Sequence, residues 1–382
     1  MKKSFLSVCI LFFLVLGGPV CASEATMPVL GAKSWLLMDV VSNQILASRN
    51  ANEKVTSRAA SRLMTAYLVF GALQEGKLDF GQSVVIPDEV AVLDSGGPRM
   101  FLQAGGQITV RELLYGLVVY GADDAAFVLS QAVAGDEKTF VRLMNQEAAR
   151  IGMKSTRFVN LSGSGKKGYS TLSDLAVLAR GLIRDYSVYY FSFSVRELSY
   201  NRIRMRNPNR LLWLDSAVDG LIATNNSGQS FTLVASAKRK SVLGERRLLS
   251  IVSGAASDQA CTRESLKLLN WGFQDFDMIR LFEKDEVIAE PEVWKGSSGN
   301  IEVGFNEDTY ISIPKGTVSQ LRSVLVRKDP LIAPIDEGSR IGILKVMIGD
   351  RIIAELPVFA LEQINVASFL GRLWDTICLW FK

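Results

Sequence analysis

Apolar residues recur along this chain at two different periods. In 34–48 (SWLLMDVVSNQILAS), two apolar stretches flank Ser42-Asn43, the pattern of a β-hairpin. Helical spacing follows: Leu63, Tyr67, Phe70 and Leu73 fall three or four residues apart, which predicts a helix over 59–75 stopped by Gly76. A glycine-rich loop comes next, with Ser95-Gly96-Gly97-Pro98 and Gly105-Gly106. Helical patterns then resume over 110–119, 123–134, 137–151 and 173–184. The runs 230–237 and 247–253 are apolar and β-branched, and Lys238-Arg239-Lys240 joins them. Sheet-forming ends around a helical block predict an α+β domain.

From about Met278 the period shortens. Strands are predicted at 301–305, 309–313, 341–348 and 351–356, giving a small β-rich domain over 278–362. The last segment, 363–382, changes again. Phe369, Leu370, Leu373, Trp374, Ile377, Trp380 and Phe381 line one helical face, with Val366 ahead of them. An amphipathic helix lying in a membrane interface fits this Trp-rich stripe better than a helix docked on its own domain. At the other end, Lys2 and Lys3 precede an apolar run too short to span a bilayer, and Gly17-Gly18-Pro19 breaks it. Val20-Cys21-Ala22 then supplies a cleavage signal, favoured over a lipoprotein reading through Cys21. The pattern therefore divides the chain into a leader (1–22), an α+β domain (23–277), a β domain (278–362) and an anchor helix (363–382).

Composition narrows the function. The 382 residues are 48% hydrophobic and 21% charged, enough apolar material for real cores and far from a disordered balance. Lys and Arg number 43 against 39 Asp and Glu, too even for a nucleic-acid binder that relies on its overall field. The chain has no histidine, which excludes His-based triads, His metal sites and His pH switches. Four scattered cysteines make neither a disulfide framework nor a metal knuckle. No cofactor or metal is implied. An exported chain of this kind reads as periplasmic.

Local strings now carry a resemblance. Leu37-Met38-Asp39, Met64-Thr65-Ala66-Tyr67, Asn209-Arg-Leu-Leu-Trp213, Val218-Asp219-Gly220, Leu233-Val-Ala-Ser236 and Trp271-Gly272-Phe273 stand in the order found in one family. Over essentially the whole mature chain, the sequence resembles the low-molecular-mass penicillin-binding proteins that act as D-alanyl-D-alanine carboxypeptidases (serine peptidase family S11). The resemblance implies a transpeptidase-like antiparallel sheet with a helical block, followed by a small β domain and an amphipathic anchor. It also implies three motifs, Ser-x-x-Lys, Ser-x-Asn and Lys-Thr-Gly. In these the first Ser attacks the peptide carbonyl, its Lys moves the proton, and the third motif grips the terminal carboxylate.

The matching positions here have lost those side chains. The nucleophile position is Ala59 and its general base Arg62; the second motif reads Tyr120-Gly121-Ala122, and the third Ile222-Ala223-Thr224. A methyl group at Ala59 forms no acyl-enzyme. A guanidinium at Arg62 stays protonated and cannot act as a base. Replacement at Ala59, Arg62, Tyr120, Ala122, Ile222 and Ala223 together points to abandoned chemistry. Rescue by Ser57, Ser61 or Ser164 is disfavoured: Ser57 is placed to cap the helix, Ser61 faces away from the cleft, and Ser164-Gly165-Lys166-Lys167 lies in a glycine-rich loop.

Two further features carry open readings. Asp123 and Asp124 begin a helix beside the relic site, and one of them pairing with Arg62 is the functional alternative. Arg202, Arg204 and Arg206 alternate as on a strand, a charged edge or a surface for anionic glycan or lipid. The expectation is a non-catalytic homologue on the outer surface of the cytoplasmic membrane, binding peptidoglycan or a cell-wall protein and no nucleic acid. The alternative is an active carboxypeptidase trimming stem pentapeptides through a non-standard nucleophile.

Overall fold

The structure is a computed structural model that describes residues 6–11, 27–93, 96–165, 167–225, 231–369 and 374–376. Contacts divide the chain into two units, Met27–Gln274 and Asp275–Lys382, the latter also taking in Met1–Thr26. The larger unit is built on a five-stranded antiparallel sheet. Its strands are β1 (Ser34–Asp39), β2 (Gln44–Arg49), β3 (Val218–Asn225), β4 (Phe231–Ser241) and β5 (Gly244–Ala255), arranged β2-β1-β5-β4-β3. The first hairpin turns at Ser42-Asn43 as its pattern predicts, with Asn43 at φ 57°. The carboxylate of Asp39 fixes that turn by accepting the backbone N–H of Val41 (3.0 Å) and Ser42 (3.2 Å). Its second oxygen accepts Arg246 Nε at 2.7 Å across the β1–β5 ladder, where both side chains are buried.

Against the sheet lies α1 (Arg58–Gln74), buried at every residue except Leu68, Gly71 and Gln74. A helix enclosed on all sides must satisfy its polar groups internally. Thr65 does so by donating Oγ1 to the Ser61 carbonyl at 2.9 Å. Helices α2 (Asp123–Ala134), α3 (Glu137–Ile151) and α4 (Leu172–Asp185) enclose it, and their bounds follow the apolar spacing closely. The pattern over 110–119 divides into an α-helix, Val110–Tyr115, and a π-helical turn, Gly116–Tyr120. That turn ends at Gly121 in the left-handed region, φ 74°. Thus a widened turn, of a kind frequent at functional sites, ends at the Tyr120-Gly121-Ala122 string.

Two expectations need correction here, and one helix was not expected. Lys238-Arg239-Lys240 does not form a turn: β4 runs on to Ser241, and Val242-Leu243 turn the hairpin. Side-chain bonds explain the longer ladder, since Arg239 reaches Asp215 (2.8 Å) and Asn270 (2.7 Å) from a strand position. Arg202 does not share a strand face with Arg204 and Arg206. It occupies the turn of a small hairpin with Asn201, both at positive φ, and only Ile203–Arg206 is strand. Finally, a helix (α5, Asp258–Asp275) packs its Cys261, Leu268, Leu269 and Gly272 inward. Charged residues interrupt its apolar pattern, and the sequence reading passes over it.

The smaller unit is β-rich. Its sheet runs, in order, Leu6–Leu11, Leu321–Lys328, Arg340–Ile348, Arg351–Ala360, Val303–Gly304 and Val287–Ala289, with every pairing antiparallel. A second pair joins Phe276–Phe282 to Thr309–Pro314. The strand Leu321–Lys328 is absent from the sequence reading, because arginine and serine break its alternation. Ile301, Val303, Ile311, Ile313, Leu344 and Val358 are fully buried at its centre. The apolar run expected to leave with the leader is paired in this chain: Leu6–Leu11 lies antiparallel to Leu321–Lys328. An open sheet edge accepts such an apolar, partly β-branched run.

Of the expected anchor face, Phe369 and Trp374 are exposed, at 71% and 68%. Leu370, Leu373, Ile377, Trp380 and Phe381 lie outside the described residues. Beside Trp374, the Asp375 carboxylate accepts the Lys295 N–H at 2.5 Å. Among the described residues no helix is long and apolar enough to cross a membrane.

Candidate active-site cleft

A cleft of about 790 Å³ opens in the larger unit where α1, the π-helical turn and β3 converge. Ala59 is buried in the first turn of α1 and presents only a methyl group. Ser57 precedes it at the N-cap position without making a capping bond, contrary to expectation. The loop at Gly163 lies directly on the start of the helix, and Ser57 Oγ donates to the Gly163 carbonyl at 3.5 Å instead. Ser61 is fully buried, and its Oγ has no hydrogen-bond partner among the described residues. Neither serine lines the cleft. Ser164 lies in a loop with its Oγ 2.6 Å from that of Ser162; Lys166 is outside the described residues, and Lys167 is exposed.

One turn beyond Ala59, Arg62 lines the cleft with only 6% of its surface exposed. Burial pushes its pKa down to about 10, with Asp123 raising it and the neighbouring Arg58 lowering it further. The group therefore remains a cation at neutral pH. Its guanidinium lies against Gly121: a Cβ there would overlap Cζ and Nη1, and would sit 2.8 Å from Nε. Arg58, itself buried, and Asp123 approach each other at Gly97, where an added Cβ would overlap the Asp123 carboxylate and lie 3.2 Å from Arg58 Nη1. Arg62, which lines the cleft, is thus backed by a second buried guanidinium, Arg58, and one carboxylate, Asp123.

Asp124 serves a different purpose. Its carboxylate accepts three backbone N–H groups, from Met100 (2.9 Å), Leu102 (3.2 Å) and Ala125 (2.9 Å). It thereby holds Phe101 at φ 61° between the two loop amides. Of the two acids singled out in the sequence, Asp123 is the one that acts on Arg62, and α2 does begin there. Tyr120 lines the cleft at the end of the π-helical turn, while Ala122 behind it is buried.

β3 supplies the facing wall. Ile222 points into the hydrophobic core, whereas Ala223 and Thr224 line the cleft. The strand is held by Arg247, whose guanidinium forks onto Asp219 with two bonds of 2.7 Å. Ser236 bonds to Asp219 and Tyr190 at 2.7 Å each. Burial and the Asp219 carboxylate push the Tyr190 hydroxyl well above its usual pKa, so it stays neutral.

The mouth is formed by residues the sequence reading did not assign to the site: Arg206, Asn207, Pro208, Arg210, Trp213 and Phe231. Asn207 shapes this wall by donating Nδ2 to Val195 O (3.0 Å) and accepting Asn209 N–H (2.9 Å). Arg206 pairs with Glu197 (2.9 Å), which also binds Arg204, and Arg210 pairs with Asp258 (3.1 Å). Arg204 and Arg206 of the expected three-arginine face thus share one carboxylate, and Arg206 is the member that lines the cleft. The string Asn209-Arg-Leu-Leu-Trp213 carried the only advance signal, as a family match. The lining hydroxyls belong to Tyr120 and Thr224, and every lining cation is an arginine. Such a surface suits an anion attached to a flat or apolar body. Among the described residues, no cluster of three acidic or thiol groups is placed to hold a metal ion.

Comparison with known proteins agrees with this architecture. The D-alanyl-D-alanine carboxypeptidase family pattern matches residues 21–257, and that of the penicillin-binding protein 5 C-terminal domain matches 276–366. The D-alanyl-D-alanine carboxypeptidase DacC of Escherichia coli is 32% identical over 379 residues, covering 97% of this chain and 94% of its own length. DacF of Bacillus subtilis is 30% identical, covering 92% and 90%. Among solved structures, penicillin-binding protein 5 of Haemophilus influenzae superposes with a TM-score of 0.80 at 30% identity, covering 89% of this chain and 99% of that one. With both domains matched in order and nearly end to end, the chain belongs to the D-alanyl-D-alanine carboxypeptidase family of penicillin-binding proteins, whose work is in peptidoglycan metabolism.

Proposed function

We propose that this chain is a non-catalytic member of that family, exported and attached to the outer face of the cytoplasmic membrane, with a binding role in cell-wall metabolism. One observation carries the reading: the first turn of α1 offers a methyl at Ala59 and a buried, protonated guanidinium at Arg62. Acyl transfer needs a nucleophile and a group able to take its proton, and this turn offers neither. The seclusion of Ser57 and Ser61 from the cleft speaks against a substitute nucleophile. Ile222 adds no cation to the third wall. Incubated with a muramyl pentapeptide, the purified protein is expected to release no D-Ala above a buffer blank, while DacC run in parallel does. Turnover that disappears on mutating Ser57, Ser61 or Ser164 would instead establish the active alternative.

Membrane attachment rests on the apolar stripe of 363–382 and the exposure of Phe369 and Trp374. An interfacial helix buries such aromatics at the headgroup level. Ending the chain at residue 362 should move the protein from the membrane to the soluble periplasmic fraction. Retention on the membrane after that truncation contradicts the anchor. Export through the leader 1–22 predicts a mature N-terminus at Ser23, read directly by N-terminal sequencing.

A further inference from the structure

Three stretches of the smaller unit come together where its main strands end. Past Lys328, the pair Leu331–Ile332 runs parallel to Val293–Trp294, and Ala333 N–H donates to the Trp294 carbonyl at 3.0 Å. The chain beyond Ala360 closes the group. Ile335 and Ile364 exchange N–H···O bonds of 3.0 and 2.8 Å, and Ser297 N–H donates to the Asn365 carbonyl at 2.8 Å. All three stretches lie at the end of the ladder away from its Gly349-Asp350 turn, because Leu321 pairs with Ile348 and Arg327 with Gly342. The eight residues of Leu321–Lys328 make that separation roughly 20 Å. This end is apolar on its outside. Pro330, Ile332 and Pro334 are exposed whereas Ala333 and Ile335 are buried, the alternation of a strand with one face outward. Ile332 is 47% exposed, and so is 43% of Val366 in the tail that leads to Phe369 and Trp374. The charges around it are mixed, Lys295 and Lys328 against Glu292, Asp336 and Glu337, so apolar contact and not net charge distinguishes this surface.

The path of the tail says what covers this surface. Ala367 and Asp375 both bond to the backbone of Lys295: Ala367 N–H donates to its carbonyl at 2.8 Å, and the Asp375 carboxylate accepts its N–H at 2.5 Å. The tail is therefore clamped across this end of the sheet and does not hang from a tether. From Val366 to Phe369 the chain can reach at most about 11 Å. A helix lying in a membrane interface sinks its apolar face roughly 5–10 Å into the boundary. With Phe369 and Trp374 at that depth, Val366 and the strand face beside it are brought to the headgroup layer. Resting on the anchor reading, we propose that the β domain itself docks on the phospholipid surface through Pro330, Ile332, Pro334 and Val366. The membrane contact is then a two-part footing, the outward strand face together with the tail helix, and it sets how the domain stands on the bilayer.

A polarity-sensitive thiol dye tests this on the exported protein. Cys378→Ser leaves it with Cys261, which is buried, and the dye is placed at Ile332→Cys, Trp374→Cys or Asp350→Cys. With vesicles of phosphatidylethanolamine and phosphatidylglycerol, the dye should shift to the blue at positions 332 and 374. At position 350, on the turn at the far end of the ladder, it should not. A shift at 374 without one at 332 leaves the anchor standing and overturns the docking face. No shift at either position overturns the anchor reading and the face with it, and equal shifts at all three mean non-specific adsorption and overturn the face. Because the dye is itself apolar, unlabelled Ile332→Ser is also sedimented with the same vesicles. Its binding should weaken by about 5-fold, the change expected for leaving half an isoleucine side chain in water. Binding equal to that of the unaltered protein overturns the face.

Discussion

Replacing Gly121 by alanine is expected to destabilise the larger unit by about 3 kcal/mol and to empty the cleft floor of its guanidinium. Two effects combine. At φ 74° an L-residue costs roughly 1–2 kcal/mol relative to glycine. The new Cβ also overlaps the Arg62 guanidinium, which must leave its place above Gly121 and with it the field of Asp123. Displacing a buried charge from its compensating partner adds a further penalty on the order of 1–3 kcal/mol. A double-mutant cycle separates the two. In the Arg62→Ala background the steric part vanishes, and Gly121→Ala should then cost only the backbone strain. Equal costs of Gly121→Ala in both backgrounds would show that Arg62 does not rest on this glycine.

Loss of the Asp39 carboxylate should have the largest effect on the fold. Asp39→Ala removes the carboxylate that faces the buried Arg246 guanidinium, whose Nη1 also donates to the Gly272 carbonyl at 3.2 Å. It also removes the acceptor that shapes the first hairpin turn. Breaking one half of a buried ion pair typically costs about 3–5 kcal/mol, because the remaining charge is desolvated without compensation. The thermal unfolding transition of the variant should fall by about 6–20 °C, taking about 2–4 °C per kcal/mol for a unit of this size. The double variant Asp39→Ala/Arg246→Met, with no charge left inside, should recover much of that loss. A single variant that unfolds at the parental temperature would mean the pair contributes nothing to stability.

How much of this was legible in the sequence depended on how local the signal was. Helices α2 and α3 were readable to the residue because an apolar face, an acidic start and a glycine stop coincide at each. The hairpin at Ser42-Asn43 was readable because two apolar stretches flank a polar turn. Elements with mixed faces were not: α5 and the strand Leu321–Lys328 interleave charges with their buried positions, and only packing picks out the buried face. Of the site, the positions Arg62, Tyr120, Ala223 and Thr224 were placed by the family resemblance, and the structure brings these four to one cavity. The mouth was not, because Arg206, Trp213 and Phe231 come from three separate elements that only the tertiary fold joins. Ser57 shows the limit of local rules, since its capping role was displaced by a loop more than a hundred residues away in sequence. The resemblance supplied the family's order of parts, while the meaning of Arg62 came from its burial and from Asp123, Arg58 and Gly121 around it.

The central claim is that acyl-enzyme chemistry has gone from this cleft, and the mass of the intact protein tests it most directly. After incubation with benzylpenicillin, beside an active family member as control, the protein should show its unmodified mass. Ala59→Ser alone should remain unmodified too, since Arg62 offers no base to the restored hydroxyl. A penicilloyl adduct on the unaltered protein would show that a live nucleophile exists and would contradict the account.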